Sequence, residues 1–176
     1  LLNFGHNHFG ENKVQESVKK WTEIKNSNNN LKLHLIGKLQ TNKVKQVIPL
    51  FDYIHSLDNY KLAEKISLEQ KKFNRKLKIF IQVNIEGEIQ KNGILVPKLE
   101  QFCQYCVNDL NLDIIGLMCI PPNEIDSKNY FIKMKKLNDS LGLKELSMGM
   151  SSDYISALNY GSTFVRIGSK IFGSRN

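Results

Sequence analysis

An α/β fold closed into a TIM-type (β/α)8 barrel is the architecture this 176-residue sequence predicts, on three observations. Short apolar runs of strand length alternate with amphipathic helical segments from end to end. Several runs are nearly continuous in apolar character, as strands buried on both faces of a parallel sheet are. Antiparallel hairpins closed by Asn-Gly turns are not seen, and no G-x-G-x-x-G follows an early strand. The missing glycine motif favours a closed barrel over an open doubly wound sheet. An eight-fold barrel usually takes ~250 residues and at least ~200. The length therefore fits a barrel lacking its first βα unit, with one domain over residues 1–176. The opening Leu1-Leu2-Asn3-Phe4-Gly5, with no initiator Met and no cap or turn signal, reads as a start inside a structure.

Each element has its own reason. Phe4 reads as the end of a first strand. Val14, Val18, Trp21 and Ile24 share one helical face, and the polar run Asn26-Ser27-Asn28-Asn29-Asn30 stops that helix. A strand over residues 33–36 follows. Thr41 can then cap a helix carrying Val44, Val47 and Ile48, which Pro49 ends. After a strand over 53–56, Leu62, Ala63 and Ile66 mark a third helix running toward Asn74. A strand over 79–84 precedes a helix with Pro97 in its first turn. A strand over 114–120 leads to the helix of Tyr130, Phe131, Met134 and Leu137. A strand over 146–148, a short helix through Tyr154, Ile155 and Leu158 closed by Gly161, and a strand over 164–167 complete the pattern.

Composition excludes several function classes. Hydrophobic residues make up 41% and charged ones 24%, a globular balance. No apolar run approaches the ~18 residues of a membrane span, and no secretory signal pattern opens the chain. The expected location is the cytoplasm, with no membrane partner. The net charge of +8 attracts anions, but the lysines lie in short scattered runs without interleaved aromatics, so no nucleic-acid partner is expected. Cys103 and Cys106 form C-x-x-C inside an apolar helical stripe rather than at a helix start, which reads as packed core. His6 and His8 form H-x-H without a third ligand at obvious spacing, so no metal site is predicted.

The distinctive chemistry lies at the ends of the last two long-range strands. Leu146-Ser147-Met148-Gly149-Met150-Ser151-Ser152-Asp153 follows one, and Arg166-Ile167-Gly168-Ser169-Lys170 follows the next. Barrels bind at strand C-terminal ends and often hold phosphate after the last two. Small residues let backbone approach an anion, while Ser147 and Ser169 supply hydroxyls. A helix starting at Gly168-Ser169 would aim free N–H groups at a phosphate, and Arg166 adds a permanent cation. On composition alone, turn-forming glycines and helix-capping serines explain these tips equally well.

These stretches resemble the pyridoxal phosphate homeostasis protein family, whose fold is the barrel also found at the N-terminus of alanine racemase. The matching motifs are Phe9-Gly10-Glu11-Asn12-Lys13-Val14-Gln15-Glu16, His34-Leu35-Ile36-Gly37-Lys38-Leu39-Gln40-Thr41-Asn42-Lys43 and His55-Ser56-Leu57-Asp58. Gln82-Val83-Asn84-Ile85, Lys91-Asn92-Gly93, Gly116-Leu117-Met118 and the two tips continue the match. The resemblance implies a protein that binds pyridoxal 5′-phosphate and holds it without catalytic turnover. It places the phosphate on Ser147, Gly168 and Ser169, Arg166 near the pyridine nitrogen, and Asn12 near the ring.

The family's Schiff-base lysine lies on its first strand in a motif like Val-Ser-Lys-Thr-Lys-Pro, and only eight residues precede Phe9 here. Lys38, Lys43 and Lys170 belong to other motifs, so the expected lysine lies upstream of Leu1 and no catalytic residue is assigned. The resemblance further implies a monomer that delivers the cofactor to pyridoxal phosphate-dependent apoenzymes. Two alternatives stand beside it: a small racemase-like enzyme using the same cofactor, and a phosphate-binding module with no covalent cofactor. The β-rich domain with which racemases supply a catalytic tyrosine has no counterpart in the sequence, which argues against racemase activity.

Overall fold

A computed structural model describes residues 1–88, 90–122 and 127–173. Strands β1 (His8–Glu11), β2 (Lys32–Leu35), β3 (Tyr53–Leu57), β4 (Lys78–Asn84), β5 (Ile94–Leu95), β6 (Asp113–Met118), β7 (Glu145–Met150) and β8 (Phe164–Arg166) are all parallel. Helices α1 (Val14–Asn26), α2 (Val44–Val47), α3 (Tyr60–Phe73), α4 (Val96–Gln104), α5 (Lys128–Ser140), α6 (Tyr154–Asn159) and α7 (Ser169–Phe172) alternate with them. The sheet runs β1-β2-β3-β4-β6-β7-β8, with the two-residue β5 attached to β4, so β1 and β8 are its ends. This is a nearly closed parallel barrel wrapped by helices.

Most sequence-derived elements lie within one or two residues of their expected limits, the two-residue β5 has no sequence counterpart, and three others differ. Phe4 belongs to a single 3-10 turn, Leu2–Phe4, and the first strand is His8–Glu11 instead. That strand reads His-Phe-Gly-Glu, with one apolar residue, and pairing to β2 holds it where propensity does not. Thr41 lies inside a 3-10 turn (Thr41–Lys43) rather than capping α2, and Gln40 precedes it. The helix carrying Cys103 and Cys106 passes from α4 into a π-helical turn, Tyr105–Asp109, so the two thiols share an apolar stripe across a change of helical type.

Two cores lie on either side of the sheet. Along each strand alternate residues change face. Leu33, Leu35, Ile54, Ile79, Leu117 and Leu146 point outward and pack in one large cluster with buried helical residues such as Trp21, Ile66, Phe102 and Phe131. Tyr53, Phe80 and Met118 form a smaller cluster inside the barrel, with Phe164 packed on it. Cys103 and Cys106 belong to the outer core, where burial raises both thiols, Cys106 to about 12, so neither offers a thiolate at neutral pH.

Polar side chains fix the junctions. Asn59 caps α3, its Oδ1 accepting from the Leu62 N–H at 2.9 Å, and Asn74 ends that helix in a left-handed conformation. Asn138 accepts from the Leu117 N–H at 3.1 Å and donates to the Leu143 carbonyl at 2.8 Å, which locks α5 onto β6. Asp52, just before β3, binds Lys25 at 2.5 Å and the Leu33 N–H at 2.8 Å, and so anchors α1 to the start of the sheet.

Candidate functional site

Parallel strands put all their C-terminal ends on one rim, and the tips of β7 and β8 meet there. The Gly168 N–H donates to Ser151 Oγ at 3.2 Å, which ties the loop after β8 to the loop after β7. The β7–β8 register shifts between Ser147 and Met150, so β7 bends at its tip. Gly149 makes that bend possible: its φ is +89°, and a Cβ there would stand 2.5 Å from Ala157 Cβ on α6. The Met150 N–H is fixed in turn by Asp153 Oδ1 at 2.7 Å.

Gly168 is exposed, and a Cβ on it would meet nothing within 4 Å. The fold therefore does not require a glycine for room, and the space above it is open on the rim. Ser169 begins α7 beside it with its side chain exposed, and first-turn amides of a helix have no partner four residues back. The donor set at this corner comprises backbone N–H groups, the Ser169 hydroxyl and the nearby Arg166 guanidinium. All can donate hydrogen bonds to a phosphate ester.

Arg166, at the end of β8, donates through Nη1 to Ser147 Oγ at 2.7 Å and through Nη2 to the Cys119 carbonyl at 2.8 Å. Both acceptors are neutral, and among the described residues no carboxylate lies within ion-pair distance of Arg166. Burial pulls its proton affinity down from the ordinary value, but a guanidinium still stays charged. Ser147 sits one turn of pleat below the rim with no exposed surface, its hydroxyl shared between Arg166 and His55 Nδ1 at 2.8 Å. Its side chain thus faces the barrel interior and supports Arg166, while Ser151 occupies the tip.

Asn12 lies across the sheet's open seam from these tips, just beyond β1, with its side chain exposed. Its backbone is pinned: a Cβ on Gly37 would fall 2.1 Å from the Asn12 carbonyl oxygen, so Gly37 is what lets the β1 and β2 ends approach. The neighbouring Glu11 holds the rim from below, accepting from Trp21 Nε1 at 2.6 Å and Lys20 Nζ at 2.9 Å. Ser147, Arg166, Gly168 and Ser169 are thus brought to one corner, and Asn12 to the same rim across the seam.

A 310 Å3 cavity opens beside this corner at the ends of β4 and β6, with Gln82, Asn84, Asn92, Cys119, Ile120 and Tyr130 among its lining. A larger space of 630 Å3 opens at the other end of the barrel, among Lys78, Asp113, Lys144 and Glu145 at the strand starts. Barrel proteins place ligands at strand C-terminal ends, the end at which the smaller cavity opens.

Three histidines stand behind Arg166, and the sequence offers His8 only as half of an H-x-H and His34 and His55 only as members of longer motifs. His8, His34 and His55 stand on β1, β2 and β3, with His8 Nδ1 2.9 Å from His34 Nε2 and His34 Nδ1 3.0 Å from His55 Nε2. Their rings pack among the interior aromatics: His34 stacks on Tyr53 at 4.0 Å and His55 on Phe80 at 4.3 Å. Burial, then the neighbouring His8, pushes His34 down to about 3, and burial holds His55 well below its ordinary value. Both are neutral at pH 7. A histidine inside an apolar strand-length run, as in Leu33-His34-Leu35 and Ile54-His55-Ser56, was the available signal.

The family model for the alanine racemase N-terminal domain matches residues 1–176. The pyridoxal phosphate homeostasis protein of Aquifex aeolicus (strain VF5) is 41% identical over 184 residues, covering 99% of this chain and 80% of that protein. Among solved structures, PipY of Synechococcus elongatus PCC7942 with PLP bound superposes with a TM-score of 0.90 at 33% identity, covering 98% of this chain and 84% of PipY. Alanine racemase of Clostridium difficile 630 gives a TM-score of 0.73 at 16% identity over 99% of this chain and 47% of the racemase, a likeness of fold.

Proposed function

Since the chain belongs to the pyridoxal phosphate homeostasis protein family, we propose that it binds pyridoxal 5′-phosphate by its phosphate at the β7–β8 corner and holds it without turning over a substrate. One observation carries the reading: the two tips are tied together by the Gly168–Ser151 bond, beside a cation that makes no ion pair among the described residues. PipY, at 33% identity, has been solved with PLP bound.

Pyridoxal 5′-phosphate brings an aldehyde and an electron-withdrawing pyridine ring. Ser169 offers its amide and hydroxyl to the phosphate, the Gly168 N–H holds the Ser151 hydroxyl beside it, and open space at Gly168 admits it. Arg166 offers its remaining N–H groups to the ring nitrogen. A fixed cation there keeps that nitrogen unprotonated, since like charges repel, and an unprotonated ring is a weaker electron sink. That suits storage better than carbanion chemistry. Ser147 contributes from behind by holding Arg166, and Asn12 reaches the ring from across the seam on the same rim. Delivery to pyridoxal phosphate-dependent apoenzymes, a monomeric state and a cytoplasmic location belong to the same reading.

Gly168→Leu tests it cleanly. Its φ is negative and nothing stands where the side chain would go, so only a small shift of this exposed loop is needed and stability should change by no more than about 1 kcal/mol. Affinity for pyridoxal 5′-phosphate, followed by cofactor absorbance or fluorescence quenching, should fall at least about tenfold, roughly 1.4 kcal/mol. Unchanged affinity would reject the corner as the phosphate site. Sustained formation of D-alanine from L-alanine in the presence of the cofactor would reject the non-catalytic half of the proposal.

A further inference from the structure

Arg166, Ser147, His55, His34 and His8 are joined in that order by four hydrogen bonds of 2.7–3.0 Å, from the ligand corner to the exposed His8 on β1. The direction of every bond in this row follows from its first member. A guanidinium only donates, so Ser147 Oγ accepts from Arg166. The Ser147 hydroxyl has one proton to give, and His55 Nδ1, 2.8 Å away, is its partner among the described residues. His55 Nδ1 is then bare, which puts the proton of this neutral ring on Nε2 and directs it at His34 Nδ1. The same logic puts the His34 proton on Nε2, facing His8 Nδ1, and leaves the His8 Nε2–H at the outer end. Reversing the row would make Ser147 Oγ accept from both sides and strand its own proton in a fully buried position.

We propose that His55, His34 and His8 are positioning residues: a single polarised row of imidazoles that presets the Ser147 hydroxyl and thereby holds the Arg166 guanidinium in one orientation with its charge left for the ligand. A carboxylate behind Arg166 would orient it equally well but would neutralise it. A row of neutral rings orients it without that loss. Because Arg166 cannot accept a proton, the row is closed at its inner end, and it fixes geometry rather than conducting protons. The inference rests on Arg166 facing the ligand, but its polarity is a property of the protein without ligand.

Nitrogen-15 NMR of the ring nitrogens in ligand-free protein at pH 7.5 reads the polarity directly. All three rings should carry their proton on Nε2. In His8→Ala, His34 and His55 should keep that tautomer, because the row is set from the Arg166 end. In Ser147→Ala, His34 and His55 should become mixtures, and rotation of the Arg166 guanidinium should speed up at least about threefold. A proton on Nδ1 of His34 or His55 in the unsubstituted chain, or a tautomer change in His8→Ala, would overturn the proposal. So would unaltered tautomers in Ser147→Ala, and if that variant does not fold, the first two measurements decide alone. Loss of cofactor binding with the tautomers as expected would count against the proposed function and leave the row standing.

Discussion

The two faces of the barrel sheet differ by one residue step and by kind of chemistry. Leu33, Ile54 and Leu146 point outward into the helical layer, while the adjacent His34, His55 and Ser147 point inward. Outside, stabilisation comes from apolar area removed from water, which is insensitive to direction. Inside, aromatic rings surround a row of directional bonds, and each bond fixes the sense of the next. TIM-type barrels usually fill their interior with branched aliphatics. Here the interior gives up part of that apolar filling for polar groups that must all be satisfied, and no buried side-chain polar atom among the described residues lacks a partner.

The strongest way to break the comparison is to damage the outer face. Phe131→Ala on α5, fully buried, should cost about 3–5 kcal/mol in urea unfolding and leave the histidine tautomers unchanged, because the layers are separate. Acid attacks the inner face next. His34 titrates near 3 in the folded protein and near 6.5 unfolded, so the unfolded chain binds the extra proton between those values. His34 alone should lower stability as pH drops below 6.5 by about 1.4 kcal/mol per unit, about 3 kcal/mol by pH 4, and His55, also held low, should steepen the fall in denaturant midpoints. A flat profile from pH 7 to 4 would mean the interior is not dry. Asn59→Ala removes a helix cap remote from the interior and should cost about 1 kcal/mol with no change in acid sensitivity. Lys135→Ala, which breaks an exposed pair with Asp139, should cost no more than about 0.5 kcal/mol.

The outer layer was legible because burial writes itself into sequence as periodicity. Val14, Val18 and Trp21 announced α1, Tyr130, Phe131 and Met134 announced α5, and the apolar runs announced six strands. β1 escaped because its four residues carry one apolar side chain, and it is held by pairing with β2. Of the site, the Gly/Ser tips and Arg166 were readable from residue type, and the contact between tips was not, since it depends on the β7–β8 register shift. Ser147 was readable as a hydroxyl near the rim, but its place beneath Arg166 depends on which face of β7 it takes. The histidine row was invisible for a deeper reason: its members are 26, 21 and 92 residues apart in sequence and meet only when the barrel curves.

Gly149 and Ala157 form a matched pair, with no spare volume between the bent end of β7 and the helix behind it. Variation at these two sites is therefore linked. A methyl added to the first, or a longer side chain at the second, would push α6 away and carry Ser151 off Gly168. The shape of this corner is thus set by two small residues beneath it, independently of the side chains that line its rim.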